Sequence, residues 1–160
     1  MIERPVDGAK ARGRTVLQGG RAKAYRPLPA EARRRAFDAA LEAYERGDFF
    51  EAHELLEPAW MGTDDLAERA LHQGLIKLAA AFVHGVRGNP TGIAKNLAGA
   101  RGHLVKAIGS PAAAESGLDV AVLLAAVDDR LARLALDPTD ASIEAPALPR
   151  RLAPARRSVP

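Results

Sequence analysis

The stretch Asp65–Arg87, DLAERALHQGLIKLAAAFVHGVR, decides the fold. Leu71, Leu75, Leu78, Ala79, Phe82 and Val83 recur at helical spacing and cover well over half the circumference of the helix they form. A helix apolar on so much of its surface needs other helices around it, so it is expected at the centre of the molecule. Asp65 with Glu68 supplies a capping box at its start, and Gly88-Asn89-Pro90 breaks it at its end.

Upstream lies Asp48–Trp60, DFFEAHELLEPAW, a second helix with Asp48 as its cap and Glu51 as the return half of a capping box. Pro58 is expected to bend or shorten it, because the ring crowds the carbonyl four residues back. Earlier still, Phe37, Ala40, Leu41 and Tyr44 mark the buried face of a first helix that starts at Leu28-Pro29-Ala30-Glu31 and stops at Gly47. Downstream, Ile93, Leu97, Ala100, Leu104 and Ile108 give a fourth helix over 91–108. Gly99 and Gly102 inside it cost helix stability and hint at a close approach there, by a packed helix before a ligand. Ser110-Pro111 reads as a cap and first-turn proline, and Ser116 with Asp119 as a further capping pair. Val120, Leu123, Leu124, Val127, Leu131 and Leu134 then define a last helix over 117–135.

The turns Arg46-Gly47-Asp48 and Arg87-Gly88-Asn89 form a weak internal repeat, each joining two apolar helices as in tetratricopeptide-like hairpins. The expected fold is all-α: one bundle of about five antiparallel helices over 29–136. Residues 1–28 carry glycine and proline without an apolar repeat and read as a flexible basic arm, and residues 137–160 read as a flexible Pro/Arg-rich tail.

The chain contains no cysteine, which excludes disulfides, zinc–thiolate sites and thiol catalysis. Its formal charge of +3 is unevenly placed: residues 1–28 hold seven Arg/Lys against two acids, and 29–136 hold twelve against fifteen. Basic ends raise the alternative of nucleic-acid contact through the tails, although they offer almost no aromatic rings to stack on bases. The start lacks a secretory signal and no window is long and apolar enough to span a bilayer, so the expected location is the cytoplasm, with no membrane partner.

Function is sought where polar residues interrupt the apolar pattern. His53 and Glu57 share a stripe of the second helix, with Glu54 beside them and Trp60 further along. Gln73, Lys77, His84 and Arg87 form a polar stripe on the third, and Asn89 follows at the turn. Half-buried acids need partners, and Lys77 or Arg87 is expected to neutralise Glu54 or Glu57. The pair His53/Glu57 also permits a metal, with a third ligand from His72, His84, His103 or Glu51.

With FFEAHELLEPAW, then HQGLIKLAAAFVHGVRGN and Gly92, residues Phe37–Leu104 resemble the small helical family known as domain of unknown function 309. Its pattern of aromatic-Glu-x-His-Glu-x-x-Glu-x-x-Trp falls on Phe50, Glu51, His53, Glu54, Glu57 and Trp60, and its second block on Gln73, Gly74, Leu75, Ile76 and His84. Lys77 stands where that family often has glutamine, and Glu45 where it tends to have asparagine. The resemblance implies a compact helical bundle and one shared site, with no activity to transfer.

The leading expectation is thus a non-catalytic helical module without a cofactor, binding a protein partner or small ligand at a seam formed by His53, Glu54, Glu57, Trp60, Gln73, His84, Arg87 and Asn89. An alternative is a metal-dependent hydrolase using His53, Glu57 and His84, with Glu54 as general base. An uncovered face of the third helix would allow a homo-oligomer.

Overall fold

A computed structural model describes residues 15–18 and 21–151, with side chains from residue 25 onward. Among these residues there are six helices: α1 (Ala30–Glu45), α2 (Phe49–Met61), α3 (Leu66–Val86), α4 (Pro90–Ala107), the single turn α5 (Pro111–Glu115) and α6 (Val120–Leu136). The body is all-α, as its periodicity predicts. Two short strands precede it, β1 (Thr15–Gln18) and β2 (Arg21–Ala24), paired antiparallel with Thr15 opposite Ala24. They fall within the segment expected to be a flexible arm, where no apolar alternation announces them. No helix among the described residues is long and apolar enough to cross a membrane.

Side-chain caps start five of these helices, Ser110 capping α5 by accepting from the Ala113 amide. Asp48, Asp65, Asn89 and Asp119 accept from the amides of Glu51, Glu68, Gly92 and Val122 respectively. The return halves of the two expected capping boxes are employed elsewhere: Glu51 pairs with Arg46, and Glu68 reaches across to Arg33 on α1. The two repeated turns have one design. Gly47 and Gly88 both take positive φ, 80° and 67°, and each is followed by a capping residue. Pro58 does not end α2, which continues to Met61, and Gly62 follows as its cap.

α3 is central, packed against α2, α4 and α5, while α1 lies on α2 and α6 on α4. Leu71, Leu75, Ile76, Leu78, Ala79 and Phe82 are all buried on it. The close approach between α3 and α4 is at Gly74, where an added Cβ would lie 2.9 Å from the Leu104 side chain. The glycines singled out within α4 do not mark it: Gly99 meets only the methylene stem of Lys77, and Gly102 faces open space. Ile108 also leaves the expected apolar face, being 42% exposed just beyond the end of α4.

The segment after α6 departs furthest from its reading as a loose end. Ile143 and Leu148 join the core. The Tyr44 hydroxyl donates to the Pro146 carbonyl at 2.7 Å, the Asp119 amide to the Pro149 carbonyl at 2.8 Å, and the Arg151 amide to the Gly117 carbonyl at 2.7 Å. Residues 137–151 are therefore a strap without helix or sheet, held along the bundle by hydrogen bonds that prolines leave intact because they use carbonyls and neighbouring amides. Residues 152–160 of the expected tail lie outside the described residues.

Candidate functional site

α2 is fixed from beneath. Ala52, Leu56, Ala59 and Trp60 are buried on its inner face, which leaves His53, Glu54 and Glu57 on the side turned away from the core. One ligand atom from each of these three lies within 4.8 Å of the others. His53 Nδ1 is 3.3 Å from Glu54 Oε1, with the imidazole 27% and the carboxylate 53% exposed. Among the described residues this is the group of three or more His and acidic side chains with metal-ligand spacing.

The other residues expected at the seam are distributed differently. Trp60 is completely buried and serves as a core plug, its indole nitrogen finding no hydrogen-bond partner among the described residues. Gln73 is half-buried on α3. His84 and Asn89 belong to the α3–α4 turn: Asn89 Nδ2 stands 3.2 Å from His84 Nδ1, and Asn89 Oδ1 accepts from the Gly92 amide at 3.1 Å. A Cβ at Gly92 would collide with the His84 ring, so that glycine lets the imidazole lie flat on the start of α4. Arg87 is the exposed C-cap of α3. Thus the turn residues do structural work of their own, and the expected ligand set of His53, Glu57 and His84 is not assembled.

The remaining candidate third ligands are also outside the cluster. His103 lies half-buried on α4, held below its ordinary value by burial and then by Lys106 and Lys77. His72 is buried in the wall between α1 and α3, against Phe37 at a ring separation of 5.6 Å. Around it stand Arg33, Arg34 and Glu68, which the sequence reading did not mark as a site. The available signal was the i, i+4 pair Glu68/His72 together with two arginines one turn before Phe37.

The family model described as "Domain of unknown function (DUF309)" matches residues 37–96. Over that segment, well under half of the chain, the sequence is similar to the family. The segment runs from the middle of α1 into α4 and includes both repeated turns, all of α2 and α3, and the whole His53–Glu54–Glu57 cluster. The DUF309 match stops short of Leu104, so the resemblance read from the sequence holds over a slightly smaller span. No curated protein and no solved structure matches the chain.

Proposed function

We propose that the helical body is a non-catalytic binding module that receives a cationic group, carried by a protein partner or a small ligand, at His53, Glu54 and Glu57. The convergence of one imidazole and two carboxylates to within 4.8 Å supports this reading. Carboxylates held this close gain from a shared positive charge, through hydrogen bonds roughly twice as strong as neutral ones. They also stand on a helix locked by its buried face, so the accepting oxygens are carried on a fixed backbone before anything binds. In a titration with guanidinium and ammonium compounds and with cationic peptides, read on the His53 ring by NMR, saturable binding is expected. Replacing His53→Ala together with Glu57→Ala should weaken it at least about tenfold, the equivalent of one charge-assisted hydrogen bond. Undiminished affinity in the double variant would remove the site.

The same spacing favours one second reading, a divalent cation held by the three donors, the number of protein ligands in a catalytic zinc centre. With Glu54 engaged as a ligand, the cluster keeps no general base, so this is a cation site and not the hydrolase arrangement. Elemental analysis of gently purified protein, with melting curves in zinc and manganese, tests it: bound metal and a raised Tm are the expected results, and neither appearing eliminates this version.

A further inference from the structure

Between the start of α2 and the end of α3 lies a hollow of about 280 Å³. The two rings that open α2 take opposite directions there. Phe49 turns inward, 5.2 Å from the Tyr44 ring and 5.8 Å from that of Phe82, and gives the hollow a fixed wall. Phe50 turns outward and is 61% exposed. The α3 side is lined by Val83, half-buried, and Val86, 79% exposed. A lone exposed apolar side chain is ordinary on a protein surface. Phe50 and Val86 instead share one hollow, which offers a seat for an apolar side chain from outside.

The seat adjoins the cluster on α2. Phe50 precedes His53 by three residues and Glu54 by four, spacings that make helical side chains neighbours at about 5–6 Å between Cβ atoms. Glu54 is the more exposed member of its pair with His53, so its carboxylate is open to a donor from outside. Asp48 adds a second carboxylate on the α2 side of the hollow, and Arg87 a guanidinium on the α3 side. A cation is therefore drawn to one edge and repelled from the other. The cleft between α1, α3 and α5 offers no such pairing. There Arg33 and Thr63 Oγ1 both donate to the Glu68 carboxylate, and Arg34 is shared between Asp38 and the Glu115 carbonyl.

These features select a partner that brings a positive charge and an aliphatic body close together. A metal ion or a simple amine would leave the hollow unfilled, and a nucleic acid would set phosphates against Asp48 and Glu54. We propose, on the footing that the α2 cluster receives a cation, that its ligand is a segment of a partner protein in which a lysine or arginine stands one to four residues from a leucine-sized side chain. The cation meets Glu54, and the aliphatic chain enters the hollow against Phe50, Val83 and Val86. Burying that chain adds affinity that a solvent-exposed charge pair lacks.

The test uses the full chain with ¹³C-labelled phenylalanine and histidine, so that the Phe50 and His53 rings are read together. The probes are short blocked peptides with one leucine and one lysine placed one to four residues apart, each paired with a leucine-to-alanine and a lysine-to-glutamine counterpart. The expected result is that at least one peptide moves both rings saturably and binds about tenfold tighter than either counterpart. Phe50→Ser with Val86→Ser, both at exposed positions, should abolish the preference for leucine while leaving the preference for lysine, and Glu54→Gln should do the reverse. If either variant misfolds, the wild-type comparison of peptides still decides. Equal binding of the alanine and leucine peptides, with lysine still required, overturns this proposal and leaves the cation reading standing. No lysine-dependent binding at millimolar concentration overturns both. Self-association of the full chain that Phe50→Ser removes would assign the hollow to a second copy and likewise overturn the proposal.

Discussion

Burial without a charge partner gives His72 a measurable effect on folding. Its folded value is about 4, against 6.5 for an ordinary imidazole, because desolvation outweighs the neighbouring Glu68. As pH falls below 6.5 the unfolded ring takes up a proton that the folded ring refuses. Stability is thus fully present above 6.5, declines as pH drops towards 4, and levels off beneath it. The total change is on the order of 3 kcal/mol. His103, also lowered, adds a slope of the same sign. Urea midpoints measured between pH 7 and 4.5 should fall for the wild type, with most of the slope lost in His72→Gln. Trp60 illustrates what the sequence conceals at this scale. It stands at the border of two stripes, three residues after Glu57 but four after the buried Leu56, and its ring goes wholly to the buried side with Ala52, Leu56 and Ala59. A residue at such a border can be assigned by spacing to either face, and only the packing partner decides which.

At the scale of elements, the two acids that follow the caps have unequal roles. Glu51 and Arg46 are about half exposed, and such a pair contributes roughly 0–1 kcal/mol. Glu68 joins α3 to α1 through Arg33, with both side chains only about a fifth exposed. Glu68→Ala would strand Arg33 and the Thr63 hydroxyl, and is expected to cost about 1–3 kcal/mol. Chemical denaturation of Glu51→Ala and Glu68→Ala should separate them clearly; equal midpoints would show that the cross-link adds nothing. The helices themselves were legible. Phe37, Ala40, Leu41 and Tyr44 on α1, and the broad apolar surface of α3, set position and burial through periodicity alone. Caps were legible too, since Asp48, Asp65 and Asn89 stand just before apolar repeats. The destination of each Glu was not, because it depends on which helix arrives opposite. Gly74 was likewise overlooked in favour of Gly99 and Gly102, as composition does not distinguish a glycine under a Leu104 side chain from one facing solvent.

At the scale of the whole molecule, the strap over 137–151 ties the end of α1 to the start of α6. It carries Ile143 and Leu148 into the core, and Arg150 pairs with Glu45 at 2.5 Å beside the end of α1. Burying two such aliphatic side chains is worth about 1.5–3 kcal/mol each. Deleting 137–160 should therefore lower unfolding free energy by several kcal/mol and expose the Asp119 amide, which donates to the Pro149 carbonyl, to hydrogen exchange. An unchanged Tm would mean that the strap only rests on the surface. Prolines concealed this segment in the sequence: a chain that forms neither helix nor sheet has no period to detect, although Ile143 and Leu148 are as buried as helical residues. The α2 cluster was legible as residues but not as a boundary. His53, Glu54 and Glu57 do converge, whereas His84, Arg87 and Asn89 sit at the neighbouring turn with work of their own.

The strap also imposes an order on the birth of the protein. Its docking residues leave the ribosome after all six described helices have emerged, so the nascent bundle waits with the Tyr44 hydroxyl and the seat of Leu148 uncovered. A chain cut just after α6 would keep the six described helices and lose the clasp, the kind of product that quality-control proteases find first.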